Sequence, residues 1–594
     1  MTIHVLSDQL ASQIAAGEVV ERPSSVVKEL VENAIDAGST TITIDIRGGG
    51  RDLIQVADNG NGMPADEIET AFQRHATSKL QSAEDLWAIR TLGFRGEALA
   101  AISAVSHTTI VSRDRQAASG TRLVLEGGIV VEREPVGAPA GTVIAVENLF
   151  YNVPARLKFL KSITTEKRLI DEFVTRYALA YPGIRFRLSH DNRVTFQTTG
   201  SGSTADVLLA AYGPDVTQQL IEVVPSAPGQ AANDERLPTV RGFISDPALN
   251  YSGRNHIQLF VNGRTIRDTR LTFAVVQAYH TLLPVGRFPM AFLFIDMPPA
   301  EVDVNVHPTK VEVRFRDEGS VFSAVQRAAR GALMETAPAR GLGNWVPSDQ
   351  GLTGWAGFRP RAERDDMPSG QLDIPWQIQG PAPEQSIGQE APAVSLPAVE
   401  TTRLPIMRVI GQVGAAYIIA EGPDGLYLID QHAAHERILF EQFMTQRRGQ
   451  GIVSQGLVAA ATVYLSPSQS HLVEENAGLL SALGFEIEPF GPNAFRIRAV
   501  PAILSRSDPA GALAAVVADL ENETTPLQKE IEALVVKRVC KTAAVKAGQA
   551  LTRDEMEAMI LQLEACEVPH TCPHGRPTLI HLSAATLARQ FGRT

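Results

Sequence analysis

A chain of 594 residues with 44% apolar and 20% charged residues is too long for one core and has the composition of an ordinary globular protein of several domains. Its formal net charge of −12 argues against a generic nucleic-acid binder, although a local basic groove stays open. No apolar run approaches the roughly twenty residues a membrane helix needs, and Met1-Thr2-Ile3-His4 opens no signal sequence, so the expectation is a cytoplasmic protein with no membrane contact.

The first element with chemical content is Lys28-Glu29-Leu30-Val31-Glu32-Asn33-Ala34-Ile35-Asp36-Ala37-Gly38, a predicted helix that stops at its glycine. Glu29 and Asn33 are four apart and share a helical face. A carboxylate and a carboxamide so placed can hold a water and a hard cation, and Mg²⁺ prefers such oxygen ligands. Asp36 continues the stripe, either supporting that pair or simply lying near the helix C-terminus. An alternating strand, Leu53, Ile54 and Val56, then runs into Asp58-Asn59-Gly60-Asn61-Gly62. Gly60 and Gly62 let backbone approach a flat ligand, and Asp58 can accept a hydrogen bond from an exocyclic amine. No Gly-Lys pair occurs, so this nucleotide site is not a P-loop.

Gly93-Phe94-Arg95-Gly96 precedes the helical pattern Glu97 to Ser103, where free N–H groups suit phosphate. Arg254, Arg264, Arg267 and Arg270 gather around the strand-turn segment from Ile257 to Thr269, either as a basic groove or as a solvated face. Residues 336–402 lose all periodicity and are rich in Pro, Gly, Gln and Ser, which predicts a disordered linker. Its root-mean-square span is on the order of 45 Å, enough for the halves to move independently.

Beyond the linker, Asp430-Gln431-His432-Ala433-Ala434-His435-Glu436 follows an apolar strand and enters a helix. His432 and Glu436 face the same way, which suits either a salt-bridged surface or a metal. Val539-Cys540-Lys541 and Cys572-Pro573-His574 add thiol and imidazole groups, and this donor mix suits Zn²⁺ or Mn²⁺. Three clustered cysteines, Cys540, Cys566 and Cys572, point to metal or redox chemistry rather than a disulfide framework. Cys566 reads as a core thiol.

These motifs resemble the ATP site shared by gyrase, Hsp90, histidine kinases and MutL, the GHKL superfamily, and most closely the MutL family of DNA mismatch repair proteins. Ile14-Ala15-Ala16-Gly17-Glu18, Arg74-His75-Ala76-Thr77-Ser78-Lys79, Gly93 to Leu99, Gly141-Thr142 and Asn305-Val306-His307-Pro308-Thr309-Lys310 continue the match. The resemblance implies an α+β multidomain chain. Residues 1–203 would be a GHKL-type ATPase domain with a Bergerat-type α/β sandwich, and 204–335 a ribosomal-protein-S5-like transducer domain. Residues 403–594 would be an α/β dimerisation and endonuclease domain. Glu29 becomes the general base, Asn33 a Mg²⁺ ligand, and Asp58 with Gly60, Gly62 and Thr142 the adenine pocket. Thr77, Ser78, Lys79 and Gly93, Phe94, Arg95, Gly96 form a lid that orders on ATP binding, and Lys310 senses the γ-phosphate. The resemblance further implies DNA contacts by Arg264, Arg267 and Arg270. Its endonuclease form implies Zn²⁺ or Mn²⁺ ligation by Asp430, His432, Glu436, Cys540, Cys572 and His574, with Asp430 and Glu436 catalytic. Glu441 and Arg576 would support that site or face DNA. The implied partners are double-stranded DNA, the mismatch-recognition protein MutS, a helicase or exonuclease, and a second copy of the chain. Gln455-Gly456-Leu457-Val458 and Gln371-Leu372-Asp373-Ile374-Pro375-Trp376 are candidate peptides for the replication sliding clamp. The competing function is an ATP-switched coordinator of repair without nuclease activity, its metal site structural.

Overall fold

The computed structural model describes residues 20–79, 91–93, 96–225, 238–280, 282–284, 286–303, 313–336, 404–449, 451–505, 507–522, 528–545 and 549–591. Helix α1 (Pro23–Asp36) starts on a proline, whose missing N–H is no loss in a first turn. It buries Val26, Val27, Leu30, Val31 and Ala34 at helical spacing and ends where Gly38 takes a φ of 73°. Its partners in the first domain are α2 (Ala98–Ala104), α3 (Ile163–Ala180) and eight strands: β1 (Thr41–Arg47), β2 (Leu53–Asp58), β3 (His107–Arg113), β4 (Gly120–Glu126), β5 (Ile129–Val136), β6 (Gly141–Glu147), β7 (Arg185–His190) and β8 (Arg193–Gln197). The sheet order is β5-β4-β3-β6-β2-β1-β7-β8, antiparallel except where β1 runs beside β7. Alternate residues Ile42, Ile44 and Ile46 of β1 point into one core with Val27 and Val31 of α1 and Ile170 and Val174 of α3. Tyr177 of α3 donates to Glu32 at 2.5 Å and locks α3 onto α1.

After α4 (Thr204–Thr217) comes a second sheet of β9 (Leu220–Val223), β10 (Thr239–Ser245), β11 (Ile257–Val261), β12 (Arg264–Ile266) and β13 (Ala291–Asp296), ordered β12-β11-β13-β10-β9. Helices α5 (Thr269–Ala278) and α6 (Glu318–Thr336) cover it through Leu271, Val275, Val321 and Val325.

The C-terminal portion contains two sheets. One runs β14-β15-β16-β20, from β14 (Arg408–Val413), β15 (Tyr417–Gly422), β16 (Gly425–Asp430) and β20 (Leu579–Ser583). It packs on α7 (Gln431–Arg448) and α11 (Arg553–Glu564) through Ala434, Ile438, Met556 and Ile560. The other runs β17-β19-β18, from β17 (Ser454–Tyr464), β18 (Glu486–Gly491) and β19 (Ala494–Pro501), and its core is shared with α8 (Pro467–Glu475), α9 (Pro509–Asn522) and α10 (Gln528–Ala543).

The described residues before 337 and after 402 group into one compact unit. Independent halves were the expectation from the linker; here α8 lies against α3, with Arg193 paired to Glu474 at 2.9 Å and Asn493 donating to the Thr195 carbonyl at 2.8 Å. The sequence-based linker itself, with the candidate peptide Gln371–Trp376, lies outside the described residues apart from Thr336, which ends α6. No helix among the described residues is long and apolar enough to cross a membrane.

Candidate nucleotide and metal centres

The first centre lies where α1 meets the end of β2. Asp58 ends β2, and its carboxylate accepts from the Ser39 hydroxyl at 3.0 Å and the Gly60 N–H at 2.7 Å. Burial pushes Asp58 above the usual carboxylate range, and the three donors Gly60, Ser39 and Thr142 pull back only in part. Gly62 needs to be glycine, because its φ is 73° and a Cβ would overlap the Arg113 carbonyl. Thr142 is buried with its hydroxyl 2.9 Å from that of Ser112, which also accepts the Met63 N–H at 2.9 Å. Ser112 thus ties the glycine turn to Thr142. Sequence reasoning missed it because a serine in an alternating strand carries no signal.

Glu29 and Asn33 share the face of α1 as predicted, Glu29 beside Lys28 Nζ at 3.1 Å. Lys79 reaches across to Asn33 Oδ1 at 2.8 Å and to Asp36 Oδ2 at 2.5 Å. Asp36 also accepts the N–H groups of Leu92 at 2.9 Å and Gly93 at 3.0 Å. Its part was left open by the sequence; in the structure Asp36 holds Lys79 on one side and Leu92 and Gly93 on the other. The ammonium at Asn33 Oδ1 shows that this oxygen faces a cation, so the neighbourhood of Asn33, Asp36 and Glu29 fits Mg²⁺ as an oxygen-rich site. Thr77 accepts the Lys79 N–H at 3.2 Å with Ser78 between them, and Gly96 takes a φ of 63°. Phe94, Arg95 and Lys310 lie outside the described residues, as do Ile14 to Val19 and Asn305 to Thr309.

The second centre is assembled by α7. Its N-cap is Asp430, whose Oδ1 accepts the N–H groups of His432 at 2.9 Å and Ala433 at 3.0 Å. One turn further on, Glu436 is buried, with Oε1 3.1 Å from His432 Nε2 and Oε2 3.2 Å from His574 Nδ1. His574 arrives on a tight turn, closed by Gly575 N–H to the Cys572 carbonyl at 2.9 Å and Cys572 N–H to the Arg576 carbonyl at 2.8 Å, with Gly575 at a φ of 82°. Helix α7 holds this segment along its length. Arg437 Nε donates to the Thr571 carbonyl at 2.5 Å, and Glu441 accepts the Glu567 and Val568 N–H groups at 2.5 and 3.1 Å. Glu441 is therefore spent on the backbone rather than facing DNA, and Arg576 is an exposed residue of the turn.

Glu436, Cys572 and His574 bring ligand atoms within 4.8 Å of one another, and His432 adjoins them. This donor set of carboxylate, thiol and imidazoles fits Zn²⁺ or a similar divalent ion. His432 Nδ1 donates to the Val545 carbonyl at 2.9 Å, which leaves Nε2 as the ligating atom. Val545 N–H in turn donates to His435 Nδ1 at 2.9 Å, a hold on the segment after α10 that the sequence did not reveal. Burial alone would raise Glu436, but hydrogen bonds from His432 and His574 and their charge hold it far below the usual carboxylate range. Cys540 is fully buried on α10, and burial pushes its thiol up, with the Glu436 charge adding to the shift. Cys566 is half-buried against the α7–α11 core, its Sγ 3.4 Å from the Gln562 carbonyl, in keeping with a packing thiol.

The arginines divide. Arg264 is buried and donates to the Thr91 carbonyl beside the lid, so its guanidinium faces inward rather than toward a DNA groove. Arg254, Arg267 and Arg270 are exposed, Arg254 over the Phe288 ring and Arg270 paired with Glu318. The peptide Gln455–Val458 lies on the edge strand β17 at a break in register, with Val458 fully exposed.

A buried carboxylate beside a glycine turn, and a Glu–Asn helix whose Asp36 holds Lys79, Leu92 and Gly93, are the features expected of an ATPase of the type shared by gyrase, Hsp90 and histidine kinases. The family model for the histidine kinase-, DNA gyrase B- and HSP90-like ATPase matches residues 21–134, that for the DNA mismatch repair protein C-terminal domain matches 208–334, and that for the MutL C-terminal dimerisation domain matches 410–551. The chain is 40% identical to the DNA mismatch repair protein MutL of Symbiobacterium thermophilum, with all of both chains aligned. It is 41% identical to that of Methanoculleus marisnigri, over 100% of this chain and 99% of the other. Among solved structures, the Aquifex aeolicus MutL ATPase domain complexed with ADP aligns at 28% identity and a TM-score of 0.35, covering 47% of this chain and 94% of that one. The chain belongs to the MutL family of DNA mismatch repair proteins.

Proposed function

We propose that this chain is an ATP-switched mismatch repair protein whose C-terminal half nicks one DNA strand in a metal-dependent reaction. The observation that carries the nuclease is the buried Glu436 held between His432 and His574 with Cys572 beside them. A structural zinc site needs no carboxylate of this kind.

In the nucleotide half, Asp58 accepts from the adenine amine, and Gly60 and Gly62 admit the ring. Glu29 polarises the attacking water, a general-base role. Asn33 would hold Mg²⁺, and Lys79 leaves Asn33 and Asp36 for the phosphates as the lid orders. ATP thus shifts the population toward a closed state by binding it better. Lys310 reaches the γ-phosphate from the second domain.

In the C-terminal half, His432 Nε2, Glu436, Cys572 and His574 would hold the ion; Asp430 and Cys540, expected as further ligands, lie outside the group whose donor atoms come within 4.8 Å of one another. A bound divalent ion there supplies a Lewis acid and an activated water at a phosphodiester. The chain's own contribution is position: Asp430 starts the helix, Arg437 and Glu441 fix the Cys572–Arg576 turn, and the Val545 carbonyl orients His432.

Two copies associate through the C-terminal half. Val413, Tyr417 and Ile580 lie on one face of the β14-β15-β16-β20 sheet and are 54%, 49% and 55% exposed, an apolar face that a second copy would cover. Double-stranded DNA would meet Arg254, Arg267 and Arg270 through phosphate contacts that weaken with salt. MutS, a helicase or exonuclease, and the sliding clamp at Gln455–Val458 complete the partners. The test is nicking of supercoiled plasmid with Mn²⁺, wild type beside Glu436→Ala. Nicking that vanishes in the variant with ATP hydrolysis intact supports the nuclease. No nicking by either, with clamp and ATP present, replaces it with the coordinator.

A further inference from the structure

A second cluster of ligand-type side chains shares no residue and no element with the Glu436 centre. Asp171 of α3 and His190 at the end of β7 belong to the ATPase domain, and His471 of α8 belongs to the C-terminal half. Their side chains are 0%, 2% and 8% exposed. Asp171 Oδ1 lies 3.0 Å from His190 Nε2, and Oδ2 lies 2.9 Å from His471 Nε2.

Three features separate this cluster from an ordinary ion-paired seam. First, Asp171, His190 and His471 are all buried, and each offers a ligand atom within 4.8 Å of the others'. Ligand bonds of about 2.0–2.1 Å at 90–110° place neighbouring donors about 2.9–3.4 Å apart. Second, the two imidazole rings stand at 87° with centroids 5.3 Å apart, so their nitrogens converge edge to face rather than stacking. Third, His471 Nδ1 faces Glu474 Oε2 at 3.5 Å, and Arg193 holds that carboxylate at 2.9 Å. A carboxylate behind a histidine fixes Nε2 as the ligating nitrogen, as in carboxylate–histidine–zinc arrangements.

We propose that Asp171, His190 and His471 form a divalent-cation site of the zinc class that clasps the C-terminal half to the ATPase domain. Two imidazoles and one carboxylate are borderline donors that suit Zn²⁺, with water as the fourth ligand. The clasp sits among contacts across the same seam. Arg193 meets Glu474, Asn493 meets the Thr195 carbonyl, and Gly213 admits Tyr464 where a Cβ would overlap its side chain. An ion bound only when the halves are docked favours the docked state in proportion to its occupancy. Zinc availability would thus bias how readily the C-terminal half leaves the ATPase domain.

The test uses the full chain, stripped by chelator and titrated with Zn²⁺ alone. Wild type is expected to bind one equivalent more than His471→Gln and Asp171→Asn, while Cys572→Ala loses a different equivalent. The affinity at the clasp should fall by on the order of 100-fold or more when a ligand is removed. His471→Asp, which keeps a ligand, should restore it, and this rescue separates lost ligation from a misfolded variant. Small-angle scattering supplies the second readout: zinc should contract the wild type and His471→Asp but not His471→Gln. Equal stoichiometry in wild type, His471→Gln and Asp171→Asn would overturn the site and leave a hydrogen-bonded Asp–His seam. Binding at the site with no change in dimensions would overturn the clasp. Because nicking is not the readout, an inactive nuclease would leave this outcome untouched.

Discussion

The nucleotide centre and the Glu436 centre are built in opposite ways. In the first, chemistry and scaffold are contiguous: Glu29, Asn33 and Asp36 share one helix, and Asp58, Gly60 and Gly62 share one turn. In the second, His574 Nδ1 and Glu436 Oε2 meet at 3.2 Å across a separation of 138 residues. Contiguous groups need only the right local conformation. Distant groups need a framework, and the framework here is α7, whose Asp430, Arg437 and Glu441 hold backbone while Glu436 faces inward. Damage to one helix face should therefore silence the first centre chemically, whereas the second can also be loosened from outside its donor set.

The largest effect expected is chemical. Glu29→Ala should lower the ATP hydrolysis rate by about 10²–10⁴-fold, the usual worth of a general base, with nucleotide affinity little changed. A single-turnover assay beside a binding isotherm checks this. A parallel loss of binding would move Glu29 from base to scaffold.

Next comes backbone strain in the nucleotide turn. Gly62→Ala forces a side chain into a φ of 73° against the Arg113 carbonyl and should cost about 1–3 kcal/mol or more in stability. Thermal unfolding with and without nucleotide reads it, and an unchanged melting temperature would show that the turn relaxes freely. The matching change in the other centre is Glu441→Gln. The carboxamide keeps one acceptor for the Glu567 and Val568 N–H groups and loses the other, so the Cys572 turn loosens. Zinc affinity at Glu436 should fall about tenfold, as for other supporting residues around a metal, with ATP hydrolysis unaffected. Unchanged affinity would mean that Arg437 alone positions the turn.

This contrast also explains what the sequence disclosed. Glu29, Asn33 and Asp58 were legible because helix period and glycine spacing are local properties. Asp36 was visible as a residue but not as the anchor of Leu92 and Gly93, since those contacts close only when the chain folds back. Asp430 was legible as the end of a strand, and its capping of α7 is the physical reason that the helix begins there. Arg264 was misjudged for a related reason. Four nearby arginines look alike in sequence, and only burial distinguishes the one that bonds the Thr91 carbonyl. Docking of α8 on α3 was illegible, because a linker of low complexity permits independence without enforcing it.

The smallest predicted effect sharpens the comparison through pH. Burial raises Asp58, whereas hydrogen bonds from two imidazoles overcome burial and depress Glu436. On acidification Asp58 takes its proton before an ordinary carboxylate would, and in the proposed adenine-binding role it would then no longer offer a bare oxygen to the exocyclic amine. Nucleotide affinity should therefore fall at a pH where Glu436 is still ionised. The stability that Glu436 contributes is present above the ordinary glutamate range and is lost only as pH falls through its depressed value. Asp58→Asn keeps an acceptor toward Ser39 and Gly60 but cannot titrate. It should weaken ATP binding at neutral pH by about tenfold, the difference between a charged and a neutral hydrogen bond, and should abolish the acid limb. Isotherms for wild type and variant across the acid range decide the matter. An acid limb that survives in Asp58→Asn would assign it to another group and leave Asp58 as a purely structural acceptor for the glycine turn.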